Sequence, residues 1–178
     1  MASEIAVKSS TRRSFFMAQV MLRILAIAFT LAAISVMLTS TESVMLFGIK
    51  LVATYSDSSA MRFFLGANIT ACIFSFLSLI FVCVISRSES QLNKCFYLFL
   101  HDMVIMVLLI SGCAAASAIG YLSKYGEEKI GWTAVCDSVS KFCNRVMISL
   151  VLSYLGFFSY MALAIMAAKK FMSTASER

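Results

Sequence analysis

Two residues of opposite charge, Arg23 and Asp102, lie within otherwise apolar stretches of the sequence. An ionised side chain near the centre of a membrane helix costs about 2.5 to 3.5 kcal/mol, and it normally faces an opposite charge or a water-filled cavity. Two kinds of chemistry fit the pair: a structural salt bridge, or a proton or cation bound at Asp102 with Arg23 as the counter-charge. His101 precedes Asp102 and points about 100° away from it around the helix, so we expect it at the inner rim of the membrane rather than in a proton relay.

The second candidate site is a pair of cysteines, Cys136 and Cys143, in a polar segment between two apolar stretches. If residues 136–143 formed one helix, the two Cα atoms would lie about 10 Å apart, which is too far for a disulfide. A disulfide therefore requires a turn or a break in the helix. It would contribute about 2.5 kcal/mol by closing a short ring. Two free thiols are the alternative.

Four apolar stretches must position these residues. The composition is 61% hydrophobic and 13% charged, and the mean hydropathy is +0.90, which is typical of an integral membrane protein. A helix needs about 20 apolar residues to cross a hydrocarbon core of roughly 30 Å. Four windows meet this requirement, at about residues 19–39, 61–85, 96–122 and 146–168.

The links between these windows are short, and the sequence contains no proline. We therefore predict an all-α fold with continuous helices: a single four-transmembrane-helix bundle over residues 1–178, with short loops. The two terminal segments, 1–18 and 169–178, are predicted to be short polar tails.

Basic residues that flank the predicted spans indicate the orientation. Eight lie on the side of the termini and six on the opposite side. This weak bias is strengthened by Arg12-Arg13 and Lys169-Lys170, which adjoin the first and last spans. The positive-inside rule then predicts cytosolic termini. The same orientation places the two cysteines of the second loop outside the cytosol, where disulfides persist.

Arg23 and Asp102 lie at the same depth in this arrangement. Each is about five or six residues from the cytosolic edge of its span, which corresponds to roughly 8 to 9 Å, and the first and third spans run in the same direction. We therefore predict a salt bridge between them. The alternative is that Arg23 extends along its own stem to the inner head groups. Asp102 has a shorter side chain and cannot do the same.

The third span also carries small residues on one face. Gly112, Ala116 and Gly120 recur at intervals of four residues, a spacing that lets helix backbones approach closely. The fourth span offers Ser149 and Ser153 at a similar spacing. These faces either close the bundle internally or form contacts between subunits, and the sequence leaves both interpretations open.

Patterns typical of catalysis, metal binding or nucleic-acid recognition do not occur. The sequence has one histidine, no paired carboxylates at a working spacing and no glycine-rich phosphate loop. We predict that the protein is not an enzyme and uses no metal or other cofactor. The basic residues behind the net charge of +6 are divided between the two sides of the membrane, which favours contact of the cytosolic tails with anionic lipids over nucleic acid. Cys95 either carries a palmitoyl group or packs among its aromatic neighbours.

Four separated motifs are distinctive in combination. They are Leu22-Arg23-Ile24-Leu25-Ala26, Ser59-Ala60-Met61-Arg62-Phe63-Phe64-Leu65-Gly66-Ala67-Asn68, His101-Asp102, and Trp132 followed by Val135-Cys136 and Phe142-Cys143-Asn144-Arg145. In this order and spacing they resemble the plant Casparian strip membrane protein-like (CASP-like) family. The resemblance extends over nearly the whole chain.

The resemblance implies a multi-pass plasma-membrane protein with cytosolic termini, distantly similar to the MARVEL-type tetraspans. It implies self-association in the lipid bilayer, as homo- and hetero-oligomers with related tetraspans, into platforms that in the founding members recruit extracellular wall-modifying enzymes. It also matches Arg23 and Asp102 to the family's arginine and aspartate, and Cys136 and Cys143 to its second-loop cysteines. The first outer loop, residues 42–57, departs from the signature of the strip-forming members, which points to a CASP-like paralogue of unidentified cargo.

The rival hypothesis is a small oligomeric transporter or channel in which Asp102 binds a cation or proton within the membrane. The sequence offers one such carboxylate per chain and no proline that would break a helix. Both features make a gated site near the membrane centre harder to build. We therefore favour the scaffold.

Overall fold

The computed structural model describes residues 2–46, 49–85, 91–126, 131, 134, 136 and 139–176. Four long helices make up most of it: α1 (Ala2–Leu38), α2 (Ser59–Ile85), α3 (Gln91–Tyr125) and α4 (Ser140–Ser176). Each contains a segment long and apolar enough to cross a membrane, namely Arg13–Leu38, Ser59–Val82, Phe96–Tyr125 and Ser140–Ser173. The predicted four-helix transmembrane bundle is confirmed.

The helices extend beyond the predicted spans. α1 begins at Ala2 and α4 continues to Ser176, so most of the two segments expected to be polar tails is helical. At 1.5 Å per residue the 37 residues of α1 span about 56 Å, well beyond a hydrocarbon core of roughly 30 Å. Hydropathy sets only the minimum length of a span. A helix without proline continues until another signal ends it.

Such a signal ends α3. Gly126 has a φ of +69°, and its N–H donates a hydrogen bond to the Leu122 carbonyl at 2.9 Å. Glycine adopts this left-handed conformation at little cost because it has no Cβ. The chain can therefore leave the helix axis immediately after Tyr125.

The four helices form a ring in chain order: α1 packs on α2, α2 on α3, α3 on α4, and α4 returns to α1. α1 and α3 therefore lie on one diagonal of the bundle, and α2 and α4 on the other. One apolar cluster is built around Phe64, Cys113 and Leu150, and a second around Leu109 and Tyr160. We call the end where α1 finishes and α4 begins the loop end, and the opposite end the terminal end.

The loop end carries a β-hairpin that was not predicted from the sequence. β1 (Thr41–Leu46) and β2 (Ile49–Thr54) pair antiparallel, in a register that runs from Thr41 opposite Thr54 to Leu46 opposite Ile49. A short 3-10 helix, Tyr55–Asp57, leads into α2. Two residues separate the strands, Phe47 and Gly48, and this spacing is typical of a tight hairpin. The hairpin adds to the helical bundle without changing its class.

Candidate functional site

Arg23 of α1 and Asp102 of α3 meet inside the bundle. Arg23 Nη1 donates to Asp102 Oδ1 at 3.0 Å and Nη2 donates to Oδ2 at 2.8 Å, a bidentate geometry that is among the strongest for such a pair. Neither side chain exposes any surface. Because α1 and α3 lie on one diagonal, the salt bridge crosses the centre of the bundle and links helices that are not neighbours in the ring.

Two further polar groups adjoin the salt bridge. His101 Nδ1 lies 3.3 Å from Asp102 Oδ1, and the His101 side chain is 26% exposed. Its position near the rim agrees with the helical geometry, but its ring turns back to the carboxylate and lies beside Phe74, with centroids 5.7 Å apart. Arg23 Nε is buried and has no hydrogen-bond partner among the described residues. Both oxygens of Asp102 are therefore engaged, while one of the three guanidinium nitrogens has no partner in the described part of the chain.

Hydrogen bonds join α2 and α4 across the other diagonal. Ser153 Oγ donates to Asn68 Oδ1 at 2.9 Å, and Asn68 Nδ2 donates to a carbonyl one turn earlier on its own helix at 2.9 Å. Nearer the terminal end, Tyr160 Oη donates to the Ala71 carbonyl at 2.9 Å and also contacts Ser75 Oγ. Polar groups at membrane depth need partners inside the protein, and these bonds provide them.

α4 is also bonded to its two neighbours in the ring. Ser149 Oγ donates to a backbone carbonyl of α1 at 2.8 Å, and Cys113 Sγ of α3 lies 3.3 Å from Ser153 Oγ. At the loop end, Arg145 Nη1 donates to the Thr39 carbonyl at 2.6 Å. The spacing of Ser149 and Ser153 predicts only that both are small packing residues. The missed signal was the hydroxyl itself, which needs an acceptor in an apolar helix.

The small face predicted on α3 divides into an internal and an open part. A Cβ added at Gly112 would lie 3.1 Å from Ala67 Cβ on α2, and Ala116 is 1% exposed. Both positions therefore pack inside the bundle. A Cβ added at Gly120 would meet nothing within 4 Å. The three positions thus lie in different environments: Gly112 and Ala116 pack inside the bundle, whereas Gly120 faces open space.

Cys136 and Cys143 form a disulfide at the loop end, with their Cα atoms 5.8 Å apart. This separation is possible because α4 begins only at Ser140. Cys143 thus lies in the first turn of the helix and Cys136 in a turn before it. The Cys136 N–H donates to the Ser123 carbonyl at 3.0 Å. The disulfide and this hydrogen bond together connect the end of α3 to the start of α4.

Within the described ranges, no group of three His, Cys, Asp or Glu side chains could hold a metal ion. Cys72 and Cys113 are free thiols buried in the core. Trp132 and Val135, which belong to the second-loop motif, lie outside the described residues, and so does the side chain of Cys95 on which the palmitoylation alternative depends.

Each of the four helices has a membrane-spanning segment, and the two charges at membrane depth neutralise each other inside the bundle. This arrangement defines a multi-pass membrane protein of the tetraspan class. Residues 12–159 match the Casparian strip membrane protein domain, and the chain belongs to this family. Arg23, Asp102 and both disulfide cysteines lie within the matched range.

Relatives from several plants support the assignment. "CASP-like protein 1F2" of Ricinus communis is 57% identical over 97% of this chain and 86% of its own length. "CASP-like protein 1F3" of Populus trichocarpa is 52% identical over 95% and 88%, and "CASP-like protein 1F1" of Arabidopsis thaliana is 35% identical over 84% and 86%. No solved structure matches the chain. The family predicted from the four sequence motifs is confirmed.

Proposed function

We propose that the protein is a plasma-membrane scaffold that self-associates into membrane platforms, as homo-oligomers and as hetero-oligomers with related tetraspans. These platforms recruit cell-wall-modifying proteins. The observation that carries the proposal is the match of residues 12–159 to the Casparian strip membrane protein domain. Platform formation and recruitment are the activities that the resemblance in sequence implies for this family.

The ion pair supports a scaffold over a transporter. Arg23 and Asp102 are fully buried and joined by two hydrogen bonds. If Asp102 bound a cation or a transported proton, Arg23 would have to withdraw and remain as an unpaired buried charge, at a cost of about 3 to 5 kcal/mol. A permanent salt bridge between α1 and α3 avoids this cost.

A measurement of ion flux distinguishes the scaffold from the transporter or channel. Liposomes that contain the purified protein should show the same proton and potassium leak as protein-free liposomes. A flux in the parent that disappears in Asp102→Asn, at equal amounts of folded protein, would contradict the scaffold and favour the transporter or channel. Arg62→Gln, a change at an exposed cation on α2, controls for the loss of a charge elsewhere.

The proposed scaffold has both termini in the cytosol. Lys169-Lys170 adjoin the last predicted span, and the positive-inside rule favours their cytosolic location. The disulfide at the loop end supports the same orientation, because disulfides persist outside the cytosol. An epitope at either terminus should be stained only in permeabilised cells. Staining in intact cells would contradict this topology.

Self-association is tested by measuring the mass of the protein in native lipid discs. The monomer has a mass of 19.6 kDa, so a scaffold should give a discrete multiple of this value. A monomer at every concentration would contradict the proposal. Ala118→Leu probes one possible interface, because Ala118 is small and exposed on α3 and small residues allow close helix approach. Val104→Leu is the control at an exposed position that is already large.

A further inference from the structure

A cavity of about 300 Å³ lies at the loop end, with the Cys136–Cys143 disulfide in its wall. Its lining includes Met61 from the start of α2 and Val146 from the start of α4, which are 5% and 4% exposed. Gly120 lines it from α3, and a Cβ added there would meet nothing within 4 Å. The cavity therefore has an apolar interior bounded by three helices and the disulfide.

On one side of the rim the described residues are polar and carry a positive charge. Lys124 and Asn144 line the cavity and are both exposed. Among the described residues no carboxylate lies within salt-bridge distance of Lys124, and its Nζ lies 5.4 Å from the centroid of the Tyr125 ring. α4 begins beside the cavity and has no acidic residue in its first turn, so the partial positive charge of this helix end adds to that of Lys124. An anionic group would be stabilised here.

The other side of the rim is apolar and lies at the level of the membrane. Met147 lines the cavity and is 46% exposed, and it belongs to the spanning segment Ser140–Ser173. The spanning segment of α3, Phe96–Tyr125, ends beside the same cavity. The opening is therefore situated where hydrocarbon gives way to head groups.

We propose that this cavity binds an anionic amphiphile. Its phosphate or carboxylate lies beside Lys124 and Asn144, and its acyl chain leaves past Met147 into the bilayer. A volume of about 300 Å³ is at the lower end of ligand pockets. The cavity thus accepts a head group and the first methylenes rather than a complete lipid. The described lining residues come from one chain, so the site does not depend on the proposed self-association.

The test counts lipids retained by the full-length protein in mild detergent, using native mass spectrometry. Phosphatidylglycerol is compared with phosphatidylcholine that carries the same acyl chains, and inorganic phosphate serves as a competitor without a chain. Gly120→Leu fills the cavity. Gly66→Leu is its matched control, because an added Cβ there also meets nothing within 4 Å and Gly66 does not line the cavity. Lys124→Gln removes the charge, and Arg62→Gln is the corresponding control.

The parent should retain one more phosphatidylglycerol than phosphatidylcholine per chain, and inorganic phosphate should not displace it. Gly120→Leu should lose the extra lipid, and Lys124→Gln should weaken its binding about fivefold, whereas both controls should behave like the parent. Equal retention of the two lipids by the parent, or full retention by Gly120→Leu, would overturn the proposal. Displacement by phosphate would identify a free anion as the ligand and overturn the amphiphile. If Gly120→Leu fails to fold, the phosphatidylglycerol retained by Lys124→Gln decides: binding as strong as in the parent would overturn the proposal.

Discussion

Ser153 on α4 donates a hydrogen bond to the side-chain oxygen of Asn68 on α2 at 2.9 Å, and both residues are buried. This bond closes one diagonal of the bundle, and the salt bridge between Arg23 and Asp102 closes the other. In a bilayer, packing two apolar helix faces together gains little from the hydrophobic effect, because lipid is equally apolar. Polar contacts across the diagonals therefore help to determine which helix faces meet.

Asn68→Ala should lower the free energy of unfolding by about 1 to 2 kcal/mol, because it removes this interhelical bond and leaves Ser153 Oγ without that acceptor. Thermal unfolding in mild detergent should register a loss of roughly 2 to 4 °C per kcal/mol. Ser111→Ala is the control, since Ser111 is exposed and donates only to the Val107 carbonyl of its own helix in the described structure. Equal losses in both variants would argue against a stabilising diagonal bond.

Gly112→Ala should destabilise the bundle by about 1 to 3 kcal/mol, as overpacking does in a closely packed core. The added Cβ would lie 3.1 Å from Ala67 Cβ and 3.4 Å from Phe64 Cα, and neither atom can move without shifting α2. Gly66→Ala is the matched control because the space beside Gly66 is open. The unfolding temperatures of the two variants should differ. If Gly112→Ala proves as stable as Gly66→Ala, α2 and α3 do not approach this closely.

Loss of the disulfide should loosen the loop end and leave the terminal end intact. The double substitution Cys136→Ser with Cys143→Ser should lower the free energy of unfolding by about 2.5 kcal/mol. Hydrogen exchange should accelerate near Ser123, whose carbonyl accepts the Cys136 N–H, but not around Tyr160 in the cluster towards the terminal end. Reducing agent should reproduce the effect in the parent and have none in the double variant. A parent unaffected by complete reduction would contradict this prediction.

The four spans and the family could be predicted because both depend on the sequence itself: the spans on apolar length, and the family on the order and spacing of its motifs. Apolar length is sufficient to locate a membrane helix. Equal depth in two spans of the same direction is sufficient to suggest that Arg23 faces Asp102. The ends of the helices could not be predicted from hydropathy, because α1 and α4 continue past the apolar windows as far as Ala2 and Ser176.

Rotation of the helices about their axes could not be predicted. The four-residue spacing of Gly112, Ala116 and Gly120 suggested one surface, yet an added Cβ meets α2 at Gly112 and open space at Gly120. The rotamer of His101 likewise returns its ring to Asp102. The hairpin was missed for a different reason. Its only signal is the two-residue spacer between the strands, and this short pattern does not stand out in a loop between two membrane spans.

The claim that Arg23 and Asp102 form one structural unit has a direct test in a double-mutant cycle. The folded, monodisperse yield is measured for Asp102→Ala, for Arg23→Ala and for the double variant, with Arg62→Ala as a control at an exposed cation. Each single change leaves a buried charge without its partner, at a cost of about 3 to 5 kcal/mol. If the two residues act as a pair, the double variant recovers much of the yield lost by either single variant. Losses that simply add in the double variant would contradict it.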